Sequence, residues 1–143
     1  MSDQIDAKEK DYLYLAPSQI PNAGQGLFVS IAIYKEEVIS LFKGESLSND
    51  EASRRANLRE DDYFINCLDG SILDSKHTDC FAKYANDPSA KGGNMVKTKF
   101  KSNADISIDD DDNICLIATR NIKIGEEIFT NYGKKYWTNF HRL

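Results

Sequence analysis

The sequence predicts a mainly β domain, with several small sheets of short strands and few short helices. Three observations carry that prediction. Strand-forming residues occur in short runs, as in Ile114-Cys115-Leu116-Ile117-Ala118-Thr119. Turn signals such as Asp69-Gly70 and Gly92-Gly93 separate those runs at close intervals. The clearest helix start, Ser48-Asn49-Asp50-Glu51, opens only a short segment. At 143 residues, 41% hydrophobic and 29% charged, the chain has the size and composition of one soluble domain with its own core.

In chain order, residues 1–11 are polar and charged and are expected to form a flexible N-terminal segment, leaving 12–143 as a single domain. The opening residues carry neither a signal-peptide nor a transit-peptide pattern. Tyr12-Leu13-Tyr14-Leu15 is rich in strand formers, and Pro17 and Pro21 then hold an extended loop. Leu27 to Ile31 and Val38 to Phe42 read as strands. The capping pattern at Ser48 predicts a mostly exposed helix over 49–59. Tyr63 to Cys67 and Ser71 to Asp74 read as a hairpin about Asp69-Gly70. Phe81 to Tyr84 fits one helical turn, which Pro88 stops from extending. Asn94 to Phe100 alternates as a strand does, and the acidic run Asp109 to Asp112 reads as a solvated hairpin tip.

Charge and cysteine usage narrow the function classes. A net charge of −5 argues against sequence-independent binding to nucleic acid, which needs a basic face, and fits a basic peptide as partner. No apolar run is long enough to span a bilayer. The three cysteines, Cys67, Cys80 and Cys115, are widely spaced and form no zinc-binding pair, so no metal is expected. They read as free thiols of an intracellular protein, nuclear or cytoplasmic. His77 and His141 stand alone and read as surface residues.

Two segments point to chemistry. In Asn22-Ala23-Gly24-Gln25-Gly26-Leu27-Phe28 the glycines leave main-chain amides and carbonyls unshielded, so a ligand can lie on the backbone. No third glycine follows and no Gly-Lys-Ser/Thr is present, so this is neither a dinucleotide fingerprint nor a P-loop. Near the C-terminus, Ile128-Phe129-Thr130-Asn131-Tyr132-Gly133 ends a strand-like run at a tyrosine followed by a glycine that can turn sharply. That leaves a phenol in a confined spot.

With these segments in view, the chain resembles the SET-domain protein lysine methyltransferases. Ile20 to Phe28 resembles the first glycine motif of that family. Ile39-Ser40-Leu41-Phe42-Lys43-Gly44-Glu45 resembles its second-strand motif, which usually has tyrosine where Phe42 stands. Ala82-Lys83-Tyr84-Ala85-Asn86-Asp87, followed by Asn94, resembles the Arg-Phe-Ile-Asn-His segment and its downstream asparagine. Ala118 to Gly133 resembles the last motif, and the compact layout ending at Trp137 is similar to the minimal SET proteins of large algal viruses.

The resemblance implies a β-clip, SET-like fold whose C-terminal segment threads beneath the loop carrying Asn86. It implies S-adenosylmethionine as methyl donor, held by Ala23, Gly24, Gln25 and Gly26, by Lys83, Tyr84, Asn86 and Asp87, and by Tyr132, Tyr136 and Trp137, with Trp137 the preferred ring for the adenine. Tyr132 is the implied catalytic residue, and Phe42, Tyr63 and Tyr132 are implied to line a substrate-lysine channel. On residue type alone, Phe42 and Trp137 read first as packing aromatics, and Tyr63 reads equally as strand packing. The implied substrate is a lysine in a protein, with a histone tail the natural case.

Two departures from the family pattern stand out. Asp87 occupies the place of the usual histidine, and Phe42 removes a hydroxyl from the implied channel. The flanking cysteine clusters of many SET domains have no counterpart, so Lys134 to Leu143 or a second copy in a homodimer is expected to close the channel. The alternative function is a non-catalytic SET-like module that binds peptides or protein partners.

Overall fold

A computed structural model of the chain describes residues 3–67, 70–88 and 99–131. Its elements in chain order are β1 (Asp3–Gln4), α1 (Glu9–Tyr12), β2 (Leu13–Pro17), β3 (Gln25–Val29), β4 (Glu37–Leu41), β5 (Glu45–Leu47), α2 (Asn49–Asn57), β6 (Phe64–Asn66), β7 (Ile72–Asp74), a 3-10 turn (Ala82–Tyr84), β8 (Ala104–Ile108), β9 (Ile114–Ala118) and β10 (Glu127–Ile128). The described strands form three small sheets, β1-β4-β9-β8, β10-β3-β2 and β5-β7-β6. The mainly β architecture of short strands is the one the sequence predicts.

β3 is buried from Gly26 to Val29 because β2 and β10 flank it and the core lies against it. Leu27, Val29, Ile33, Ile39, Leu116, Ile122 and Ile128 are fully buried and form one cluster that the sheets share. Burying a side chain of this size contributes about 1.5–3 kcal/mol. β4 pairs β9 antiparallel, but the register shifts between Val38 and Ser40, leaving Ile39 out of the ladder. Tyr12 covers that irregularity, its hydroxyl donating to the Ile39 carbonyl at 2.7 Å.

The segment expected to be flexible carries, from Asp3 onward, two pairs to β4 and the short α1. The Glu9 side chain accepts from Ser40 Oγ at 2.5 Å and from the Leu41 amide at 3.1 Å.

α2 starts where the sequence places it. Ser48 Oγ accepts from the Glu51 amide at 3.2 Å. Glu51 does not return the bond; it pairs with Arg54 and Arg55. Arg55 also donates to the fully buried Asp74 at 2.8 Å, which ties α2 to β7. Gly44 lets the start of β5 lie close against β7, since a Cβ there would collide with the Asp74 carbonyl.

The β6–β7 hairpin forms as expected, with Leu68 and Asp69 at its turn outside the described residues. Of the strand expected over 94–100, only Lys99 and Phe100 are described, and neither is in a strand. At the expected solvated tip, Asp110, Asp111 and Asp112 are exposed but Asp109 is buried.

The run from Glu127 to Thr130 passes between two segments. Asn86 bridges Phe129 on one side, and Ala104 bridges Thr130 on the other.

Candidate active site

The glycine segment is the connection between β2 and β3. Ser18 N donates to the Gly24 carbonyl at 2.8 Å and closes the neck of the loop. The buried Ile20 anchors it from inside. Asn22 and Gly24 have φ of 64° and 71°, so the chain turns through the left-handed region twice. A Cβ on Gly24 would meet nothing within 4 Å, so glycine there answers the backbone angle and leaves the main chain uncovered. Gly26 differs: a Cβ there would collide with the Glu127 carboxyl group.

Asn86 ties three distant segments together. Its side-chain amide donates to the Gln25 carbonyl at 3.0 Å. Its own carbonyl accepts from the Thr130 amide at 3.0 Å. A cavity of about 510 Å³ opens at this junction. Ala23, Gly24 and Gln25 form one wall, Lys83, Tyr84, Asn86 and Asp87 another, and Phe42 and Tyr63 a third. Nine residues expected at the donor and channel sites therefore line one cavity. Gly26 is not among its lining residues. Tyr132, Tyr136 and Trp137, and with them Asn94, lie outside the described residues.

Lys83 lines the cavity, and its ammonium is held by the chain itself. Nζ donates to the carbonyls of Ser75, Lys76 and Thr78 at 3.1, 3.4 and 3.0 Å, one for each proton. It also lies 5.5 Å from the Tyr63 ring centroid and 5.4 Å from that of Tyr84. Burial, reinforced by Asp62 and Tyr84, raises the Tyr63 phenol above its ordinary pKa, so it remains a neutral donor.

Ser75, Asn103 and Glu127 carry roles that sequence reasoning did not assign. Ser75 Oγ is buried in the cavity wall and has no hydrogen-bond partner among the described residues. Asn103 is fully buried; Oδ1 accepts from the Phe129 amide at 2.8 Å and Nδ2 donates to the Glu127 carbonyl at 2.9 Å. It holds the C-terminal segment from the face opposite Asn86. Glu127 lies within the segment Ala118 to Gly133 that resembles the last family motif, and its acidic type on a buried strand was the available signal. A larger hollow of about 870 Å³ lies between residues 4–12, β4 and residues 79–84, and touches the candidate site only through Lys83 and Tyr84.

A family model described as the SET domain matches residues 24–133. The chain belongs to the SET domain family.

This SET domain is 27% identical over 133 residues to histone-lysine N-methyltransferase SETD7 of Halocynthia roretzi, covering 89% of this chain and 33% of that protein. It is 30% identical over 122 residues to histone-lysine N-methyltransferase mes-2 of Caenorhabditis elegans, covering 83% and 15%. The chain thus spans a third or less of these curated relatives. Among solved structures, a humanized mutant of the Chaetomium thermophilum Polycomb Repressive Complex 2 bound to the inhibitor GSK343 superposes with a TM-score of 0.70 at 26% identity, covering 92% of this chain and 16% of that one.

Proposed function

We propose that this SET domain transfers a methyl group from S-adenosylmethionine to the side-chain amine of a lysine in a protein. The observation that carries the reading is the junction at Asn86. One residue joins the glycine loop, through its side chain, to the C-terminal segment, through its main-chain carbonyl, at the edge of a cavity lined by both halves of the family pattern.

The residues present fit the donor. The cavity lies within the roughly 300–1,000 Å³ of ordinary ligand sites. Gly24 leaves main chain open toward a ligand, and Ser75 Oγ supplies an unsatisfied buried hydroxyl. Ala23 to Gln25, Tyr84, Asn86 and Asp87 would hold it. When bound, S-adenosylmethionine supplies an electrophilic methyl group on a positively charged sulfur.

The chain's own residues meet the demands of that chemistry. The lysine nitrogen attacks with its lone pair, so an amine with an ordinary pKa of about 10.4 must first lose its proton. Buried Phe42 offers an apolar wall that disfavours the ammonium form. Tyr132 is assigned to orient the amine, and the gain is positioning rather than proton relay. The net charge of −5 raises encounter with a cationic segment such as a histone tail, the substrate class named for the relatives. A histone substrate implies a nuclear setting.

Two measurements test this. Calorimetry with S-adenosylmethionine is expected to give one-site binding, and radiolabel from the donor is expected on a lysine in mixed histones or cell extract. Tyr132→Phe is expected to keep donor affinity and lower turnover at least about a hundredfold. Loss of both, or of neither, contradicts the role given to Tyr132. Asp87, buried where the family pattern has histidine, favours a second reading, a non-catalytic module that binds peptides. That reading predicts peptide binding with no heat from S-adenosylmethionine.

A further inference from the structure

We propose that Glu127 is a positioning residue. Its carboxyl group, buried behind the glycine loop, holds the main chain of residues 18–25 in the shape that receives the methyl donor. The inference rests on the methyl-transfer reading for the donor's identity, but the clamp itself is read from geometry.

Glu127 lies on β10 opposite Phe28 of β3 and is 1% exposed. Removing an ionised side chain from water is costly unless donors or a cation compensate. No ion pair to Glu127 exists among the described residues. Among the described residues the compensation comes from one short segment. Ser18 Oγ donates to Oε2 at 2.7 Å, and the Gln19 amide donates to Oε1 at 2.9 Å. Gln19 Nε2 adds a longer contact at 3.4 Å. Both oxygens accept, so the segment holds the carboxyl group at both ends.

These bonds pass directly into the cradle. Ser18 Oγ accepts from the Ile20 amide at 3.1 Å, and Ser18 N donates to the Gly24 carbonyl. Ala23, Gly24 and Gln25 then line the cavity, whereas Glu127 does not. The carboxyl group therefore acts through the loop and not on a ligand.

The second glycine completes the device. Gly26 lacks a side chain at the point where the Glu127 carboxyl group sits, so the two residues are a matched pair. Stability alone gives no reason for this choice, because a well-packed apolar side chain commonly serves as well as a buried ion. A carboxylate with two acceptor oxygens does what an apolar group cannot: it fixes the direction of two donors on one loop.

The test uses the full chain with Glu127→Gln and Ser18→Ala. Hydrogen exchange without ligand is expected to speed up about tenfold at the amides of 19–25 in Glu127→Gln, with β8 and β9 unchanged. Calorimetry is expected to show S-adenosylmethionine affinity about tenfold weaker, while KM for a lysine peptide stays constant. Ser18→Ala removes one hydroxyl, is expected to move both readouts the same way by less, and carries the test if Glu127→Gln does not fold. Unchanged loop exchange overturns the proposal, as does faster exchange with unchanged donor affinity or equal weakening of donor and peptide. If the unmutated protein takes up no donor, the methyl-transfer reading fails. Loop exchange then still decides whether Glu127 holds the loop.

Discussion

Tyr12 shows how a single hydroxyl closes a gap that secondary structure leaves. The Ile39 carbonyl falls at the register shift of β4, and the buried Tyr12 hydroxyl is the donor that reaches it. Burial raises the phenol's pKa, and the nearby Glu9 and Glu37 raise it further, so the group stays protonated and donating. Tyr12→Phe keeps the ring and strands a buried acceptor, and is expected to cost about 1–3 kcal/mol. Urea unfolding checks this: the midpoint should fall with the slope unchanged. The same scale separates two glycines that the sequence treats alike. Gly24 is needed for its backbone angle and Gly26 for the room it leaves to Glu127. Residue type told that glycine mattered at both positions. It could not tell why, because the group that fills the space at Gly26 comes from the far end of the chain.

The β8–β9 hairpin carries its own electrostatic lock. Asp109 accepts from the amides of Asp111 and Asn113, both at 2.9 Å, and from the Asn113 side chain. Burial alone would raise its pKa, but these hydrogen bonds outweigh burial and hold it below the ordinary value of 3.8. A lowered carboxyl pKa contributes stability that is fully present above the unfolded value and is lost as pH falls through the folded one. Asp109→Asn should therefore be less stable than the unmutated chain at pH 6, with the difference shrinking as pH falls below the ordinary value of 3.8 and through the lower folded one. A stability gap that stays constant through that range would contradict the lock. β9 and α2 were readable from sequence because each has a strong local signal, a continuous apolar run and a capping serine. β8 was not assigned, although Ala104-Asp105-Ile106-Ser107-Ile108 alternates apolar and polar residues after Ser102-Asn103 as a strand does; it is a five-residue run with only two strongly apolar side chains. β1 and β10 are two residues each, too short for any periodicity, and exist because a neighbouring strand pairs with them.

At the scale of the molecule, the candidate site is a meeting of segments that no local pattern joins. Family resemblance implies that Gly24, Phe42, Lys83 and Asn86 meet at one site. In the fold they line one cavity, where Asn86 bonds the glycine loop and Asn103 holds the C-terminal segment. The Lys83 ammonium is spent on three carbonyls of its own chain, which leaves the main chain of that segment to face the cavity. The N-terminal segment raises the matching question of what belongs to the working unit. We propose that residues 12–143 suffice for the site, because none of residues 3–11 lines the 510 Å³ cavity. They nonetheless support the fold, through the pairs to β4 and through Glu9, whose loss would leave the buried Ser40 hydroxyl without that acceptor. Deleting residues 1–11 is expected to lower Tm by about 5–10 °C, given roughly 2 kcal/mol of lost support in a domain of this size. S-adenosylmethionine affinity of the shortened chain, measured by calorimetry well below its Tm, should stay within about twofold of the full chain. Affinity lost in step with stability would mean that the segment shapes the cavity through the shared Lys83–Tyr84 wall, and the working unit would then begin at Asp3 rather than at Tyr12.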